Sequence, residues 1–399
     1  MLEGQSILVF APDPWDDIWR NRHQIMSLLC QRNTVLYVEP RPYLRSVLAD
    51  LVQGRIGLRA QAPPRVRQVR PGLWVYRPPR YAPLSGRAPL SLMTAAWRKA
   101  ALRRTMRRLG MEQPILWLFR PDMADVPGHY GERFLIYHIV DEYTGYADFD
   151  GGVETGRLAD IQRREEELIA RADLVLVTSK ALLARKGGIN PHTYWVPNAV
   201  DFDAFAAAAT AHVEPPELIR VPRPRIGYVG AINDKLDVSL LAQVSEAYPK
   251  ASLLLVGPER PWTPEMRRGL ERLHQMRNVF MLGQMPVERV PEFVAACDVG
   301  LLPYRRNRWT EHIHPLKLYE YLACGLPVVA TDIPSVRDEA DVVTIAANAG
   351  DFVAAVAAAL ADDDAQARAR RQARAAQNTW RHRVERISEL IEAGLDRAG

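Results

Sequence analysis

At 399 residues the chain is long enough for two domains of roughly 100 to 200 residues each, and too long for a single small module. Apolar residues make up 48% and charged residues 25%, which excludes a disordered or fibrous chain. The net charge of +5 hides an asymmetry: Arg41 to Arg108 holds 16 Lys and Arg against Asp50 alone, leaving 36 basic and 46 acidic residues elsewhere.

In chain order, short β-branched runs alternate with helical stretches, the pattern of a parallel sheet flanked by helices. Strands are predicted at Ser6 to Phe10, Thr34 to Val38, Ile115 to Phe119, Phe134 to Ile139 and Leu174 to Thr178, with helices at Trp15 to Gln31, Pro89 to Leu109 and Glu154 to Ala172. Four prolines between His212 and Pro224 then interrupt both helix and ladder, as a linker does. The alternation restarts with strand Arg225 to Val229, helix Asp237 to Tyr248, strand Ser252 to Val256, helix Pro264 to Met276 and strand Val279 to Leu282. Helix Val287 to Ala296, strand Val299 to Leu302, helix Leu316 to Cys324 and strand Pro327 to Ala330 follow, and the tail from Asp351 to Ala398 reads as two helices. The expectation is an α/β protein of two Rossmann-like, doubly wound domains facing a cleft: residues 1–210, a linker at 211–224, residues 225–378, and a last helix at 379–399 crossing back.

Several chemistries lack their motifs. No GxGxxG follows the first strand, and no GxxxxGK[ST], GxSxG or HExxH is present. His312 and His314 form half a metal site at best. Asp148-Phe-Asp150 and Asp201-Phe-Asp203 are short patterns expected by chance, the second better explained as a helix cap. Cys30, Cys297 and Cys324 are too scattered for a disulfide framework and read as buried thiols in a reducing compartment. With no apolar run near the roughly 18 residues that span a bilayer, a cytoplasmic location is expected.

The most informative stretch is His314-Pro-Leu-Lys-Leu-Tyr-Glu-Tyr-Leu-Ala-Cys-Gly-Leu-Pro-Val-Val-Ala330, a helix opened by proline, closed by Gly325 and followed by a buried strand. Lys317 and Glu320 lie three residues apart on one face near its start. A helix N-terminus with a lysine attracts a phosphate, and a carboxylate one turn deeper suits adjacent hydroxyls such as those of a ribose. A surface ion pair accounts for the same spacing.

Three segments, Asn278 to Gln284, Val290 to Pro303 and Lys317 to Thr331, resemble in order the C-terminal domain of GT-B-fold glycosyltransferases. They are most similar to the glycosyltransferase group 1 family and its bacterial exopolysaccharide and teichuronic-acid-type members. Val196 to Phe205, Ile226 to Ile232 and Trp380 to Glu385 resemble further segments of that family, so the likeness covers roughly residues 173 to 390.

The resemblance implies a retaining, metal-independent transfer of sugar from a nucleotide-sugar donor to a polysaccharide or lipid-linked acceptor. Glu320 would bind the donor ribose, Gly230 and the loop from Ala231 to Lys235 would approach the diphosphate, and Lys235 or Lys317 would neutralise it. The family commonly carries an acid eight residues before the ribose-binding Glu; here that position is His312, with Glu311 beside it, and Pro315 offers no amide where the family often does. On the other side of the cleft, Phe134 to Tyr143 resembles a strand-to-loop segment of the polysaccharide enzymes, placing His138, Asp141 and Glu142 near the cleft, with Asp141 as acceptor base. A nucleotide-sugar epimerase of the same fold and a non-catalytic sugar-nucleotide or membrane-surface binder are the competing readings. The basic segment lacks any nucleic-acid motif and fits an anionic membrane surface. On a helical projection of Pro89 to Leu109, Ala95, Leu102, Met106 and Leu109 fall on one side, and Lys99, Arg103, Arg104, Arg107 and Arg108 on the other, with Trp97 among them. Peripheral attachment to the inner face of the membrane is the expectation.

Overall fold

The computed structural model describes residues 1–40, 66–78, 90–148, 155–211, 213–361 and 364–398. The segment from Arg41 to Arg65, half of the Asp148-Phe-Asp150 pattern, and Pro89 lie outside the described residues.

Strands β1 (Ser6–Phe10), β2 (Thr34–Val38), β3 (Val66–Arg70), β4 (Leu73–Tyr76), β5 (Ile115–Leu118), β6 (Phe134–Ile139), β7 (Leu174–Val177) and β8 (Thr193–Trp195) form one sheet in the order β3-β4-β2-β1-β5-β6-β7-β8. Every pairing is parallel except β3 with β4. All residues of β5, β6 and β7 are buried, because helices cover both faces and the strands must be apolar throughout. The covering helices are α1 (Asn21–Leu29), α2 (Leu90–Arg108), α3 (Thr155–Arg171) and α4 (Lys180–Lys186).

After α5 (Phe202–Ala211) a second sheet is built from β9 (Arg225–Val229), β11 (Ser252–Val256), β13 (Val279–Gly283), β14 (Val299–Leu302), β15 (Val328–Thr331) and β16 (Thr344–Ala346). Its order is β13-β11-β9-β14-β15-β16, all parallel, while β10 (Ile232–Asn233) and β12 (Glu259–Arg260) pair separately. Helices α6 (Val238–Ala247), α7 (Pro264–Gln275), α8 (Val290–Ala295), α9 (Leu316–Ala323), α10 (Pro334–Arg337), α11 (Ala349–Leu360) and α12 (Ala365–Ala376) belong to this second body. The last helix, α13 (Trp380–Ala398), returns to α1 and buries Trp380, Val384, Ile387 and Ile391 in the core of the first sheet. Two Rossmann-like bodies facing one another are the GT-B architecture.

Four expectations are corrected. The helix predicted from Trp15 starts at Asn21, because the Trp15 N–H donates to Glu39 and Asp16 pairs with Arg67, holding residues 12–20 as a loop. The β3–β4 hairpin was not foreseen, its Arg- and Gln-rich first strand giving no apolar alternation; Gly72 turns it at a φ of +76°, where a Cβ would collide with the Cys30 carbonyl. The tail is three helices, with Asn348 and Asp364 capping the first two. The helix placed at Val287 to Ala296 opens as a 3₁₀ turn before α8, since Pro291 cannot donate within a helix.

All three cysteines are buried and free. Asp201 accepts from the Ala204 N–H at 3.4 Å at the start of α5, as a cap does. Among the described residues no helix is long and apolar enough to cross a membrane, and no group of three or more His, Cys, Asp or Glu is placed to hold a metal.

Candidate active site

The site forms where β9 ends. The Gly230 N–H donates to the Val256 carbonyl at 2.6 Å with φ +143°, and Gly257 on the neighbouring strand has φ +144°. Side chains are excluded at both positions: a Cβ on Gly257 would strike the Gly230 carbonyl, and one on Gly230 would strike Cε and Nζ of Lys317. The loop that follows is held by side chains. Tyr228 donates its hydroxyl to the Ala231 carbonyl at 3.0 Å, and the Val229 N–H donates to the Tyr321 hydroxyl at 3.0 Å. Buried Asp234 accepts from the N–H groups of Trp262 and Thr263 at 2.7 and 3.0 Å.

Lys317, on the first turn of α9, therefore lies across Gly230, with Nζ 5.0 Å from the centre of the Tyr228 ring. Burial pushes its ammonium down to about 8; Glu320 opposes this, while Lys235 and Arg20 add to it. Burial pushes Glu320 up to about 7, with Lys317 opposing. Among the described residues no hydrogen bond to the Glu320 carboxylate contributes to its shift, so it is an acceptor held ready beside a cation. A carboxylate and a lysine that perturb each other in a cleft are what a binding site for a charged ligand requires.

Lys235 crosses from the second body to the first. Its Nζ stands 3.3 Å from Asp141 Oδ1, just beyond β6, and 4.4 Å from the centre of the Trp309 ring, which stacks on Trp262 at 5.3 Å and 10°. Burial pushes Lys235 down, Asp141 pushes it back up, and Arg20 adds to the fall. Arg20 is thus a third cation at this point, its Nε 3.3 Å from Asp13. It was missed because residues 15–20 read as helix; Pro12-Asp13-Pro14 and the acids after it were the available signal. The same loop sends Asp17 to Arg260 on β12, a second ion pair between the bodies. Burial pushes Asp17 up, but its bonds to Arg260 and the Ile18 N–H outweigh this and hold it below the ordinary carboxylate range.

Lys235, Lys317, Glu320, Gly230, Ala231 and Asp141 are therefore brought together. His138 is placed differently from an exposed acid or base. It is buried on β6 beside Trp117 and Phe119, 6.0 and 5.2 Å between ring centres; among the described residues neither ring nitrogen has a hydrogen-bond partner, and burial pushes it down to about 3. With no carboxylate to orient it, it is a neutral imidazole rather than half of an acid–base pair with Asp141. Neither Glu311 nor His312 hydrogen-bonds or pairs with this cluster. Glu311 is exposed, whereas His312 keeps Nδ1 2.8 Å from the Arg308 carbonyl and accepts at its own carbonyl from the Ser179 hydroxyl at 2.7 Å, tying the two bodies together. His314 likewise accepts at its carbonyl from Asn198 at 2.6 Å, and burial pushes its ring down to about 4. Glu142 is structural: burial pushes it up, but Lys186, Thr144 and Arg185 outweigh that, and Thr144 accepts from Arg308 of the second body at 3.0 Å.

Comparison with known proteins bears on the family and the fold. Residues 223–362 match the family model described as Glycosyl transferases group 1, the family that the sequence motifs resemble. A Bacillus subtilis protein named as a teichuronic acid biosynthesis glycosyltransferase, TuaH, is 28% identical over 239 residues, covering 56% of this chain. The match spans 57% of TuaH, a little over half its length. Sucrose-phosphate synthase from Thermosynechococcus elongatus superposes with a TM-score of 0.71 at 18% identity, over 99% of this chain and 100% of that one. Anabaena HepE in complex with UDP and glucose gives 0.64 at 16% identity, over 98% and 100%. These likenesses establish the GT-B fold.

Proposed function

We propose that the chain is a nucleotide-sugar-dependent glycosyltransferase that builds a bacterial polysaccharide, with the first body on the acceptor side and the second on the donor side. The observation that carries this reading is Lys317 lying across Gly230 with Glu320 one turn deeper, opposite Asp141. A donor diphosphate fits against Lys317 and Lys235, and its ribose hydroxyls against Glu320, in a region matching the group 1 transferases. In the proposed reaction the acceptor hydroxyl oxygen bonds to the anomeric carbon on the face that the leaving group vacates, retaining configuration. The bond from that carbon to the phosphate oxygen breaks, its electron pair leaves with the nucleoside diphosphate, and Asp141 takes the hydroxyl proton. Lys317 and Lys235 stabilise the negative charge as it grows, the work a metal does elsewhere. Before donor enters, Lys235 is engaged by Asp141; a diphosphate drawing Lys235 to itself frees the carboxylate.

His138 serves this site by hydrogen bonding through its unpartnered ring nitrogens, whereas Glu311 and His312 are at most peripheral to the donor sugar. The epimerase reading is not favoured, since the matched model describes transferases. The likeness to a teichuronic acid enzyme supports an anionic-polysaccharide or lipid-linked acceptor, and the basic segment supports peripheral attachment to the anionic inner face of the membrane. Incubation with a panel of nucleotide sugars, reading released nucleoside diphosphate with and without lipid acceptor, tests this. Acceptor-dependent release supports transfer; altered donor without release would restore the epimerase, and binding without turnover would leave a non-catalytic binder.

A further inference from the structure

Helix α2 is divided along its length, not only around it. Leu102 and Met106 pack into the core beside β5 and β6. The exposed side of its first turns carries Leu92 and Met93, each 67% exposed, Trp97, 39% exposed, and the exposed Ala96 and Ala100, flanked by the half-buried Arg98 and Lys99. Toward the other end that face turns cationic, with Arg104, Arg107 and Arg108 exposed and in no salt bridge with any described residue; Arg103 beside them donates to the His129 carbonyl at 2.7 Å. A solvated helix of a globular domain has no use for large apolar side chains standing in water at one end and unpaired arginines at the other.

We infer that this face is a wedge for an anionic bilayer: Leu92, Met93 and Trp97 enter the acyl boundary, Arg98 and Lys99 stay at its rim, and Arg104, Arg107 and Arg108 hold lipid phosphates. From Leu92 to Ala100 the helix rises about 12 Å, comparable to the roughly 5–10 Å depth of interfacial helices when it enters obliquely. The segregation of apolar and cationic residues along one face sets that oblique approach, amino end down. Charge complementarity selects the occupant, because a protein groove would have to be both apolar and acidic in the same axial order. The inference rests on the reading of a membrane-bound acceptor and specifies how the acceptor-side body reaches it.

The test is co-flotation of the full chain with vesicles of phosphatidylglycerol and phosphatidylcholine, or of phosphatidylcholine alone. Wild type, L92S/M93S and R104Q/R107Q/R108Q are compared, with nucleoside diphosphate affinity measured on each as a check of folding. Wild type should bind only the anionic vesicles, each variant should bind about tenfold or more weakly, and all three should bind the nucleotide equally. Brominated lipid should quench wild-type tryptophan fluorescence more than that of W97F. Anionic binding by L92S/M93S as strong as wild type would overturn insertion while leaving the membrane-bound acceptor standing. No vesicle binding by wild type would overturn both, and a wild-type dimer lost in L92S/M93S would assign the face to a second copy of the chain.

Discussion

Glu320→Gln is expected to weaken donor binding and, above neutral pH, to make the free protein more stable. Its carboxyl sits at about 7 in the folded chain against an ordinary value of 4.5, so between those pH values the folded state keeps a proton that the unfolded chain releases. The stability this proton confers is present in full below pH 4.5 and is lost as pH rises through 7. At about 1.4 kcal/mol per pH unit the loss is at most roughly 3 kcal/mol; for a side chain that keeps some contact with water about 1 to 2 kcal/mol is expected. Glutamine removes the buried charge but also the partner of Lys317. That cation already sits near 8 and lies below its ordinary 10.5, so its own contribution is lost as pH falls through 8. Without Glu320, Lys317 can shed its proton at pH 8 instead of standing as a buried charge. Unfolding in urea should therefore show variant and wild type nearly equal at pH 5, and the variant more stable at pH 8 by about 1 kcal/mol or more. Calorimetry should show the reverse for donor: two hydrogen bonds lost from a charged acceptor cost up to about 1.5–3 kcal/mol each, so at least about tenfold in affinity. A variant no more stable at pH 8 than at pH 5, relative to wild type, would refute the buried-carboxylate argument; unchanged donor affinity would remove Glu320 from the site.

Lys235→Ala and Lys317→Ala should lower turnover more than donor affinity, because a cation facing the leaving group gains most as charge builds there; wild-type turnover in both would place the diphosphate elsewhere. His138→Leu should leave thermal stability equal or higher, since it removes a buried imidazole with no partner, yet lower turnover; a loss of stability with unchanged turnover would make the ring a structural element. Gly230→Ala should weaken nucleoside diphosphate binding by displacing Lys317, and wild-type affinity in calorimetry would show that the contact across Gly230 is dispensable. Asp17→Asn combined with Lys235→Gln removes two of the ion pairs that join the bodies, and small-angle scattering should report a larger radius of gyration; an unchanged radius would show that the remaining ties, Lys180 with Asp338, Arg308 with Thr144 and the Ser179 and Asn198 hydrogen bonds among them, suffice for closure.

Six of the strands were legible to the residue, β1, β2, β6, β9, β11 and β14, because a strand buried on both faces is mostly apolar and leaves a nearly uninterrupted run in the sequence. The Lys317 and Glu320 pair was legible for the same local reason, as helix start, spacing and the closing Gly325 lie within a dozen residues or so. Segments shaped by distant partners were not. Residues 15–20 read as helix, but Glu39, Arg67 and Arg260 hold the segment as a loop, and with that loop comes Arg20.

The sequence by itself determined the two parallel sheets, the strand that ends at Gly230 and the spacing of Lys317 and Glu320 on one helix face, since each follows from periodicity and backbone chemistry over a few adjacent residues, whereas their sharing one site was implied by the family resemblance. Only the tertiary structure decided that Lys235 meets Asp141, that His138 is a neutral ring beside aromatics, that His312 ties the bodies together by its carbonyl, and that the apolar end of α2 faces outward. Those outcomes turn on burial and on groups up to 133 residues apart in the chain, whose energies depend on how much water the folded state excludes, and spacing along the sequence carries no record of that.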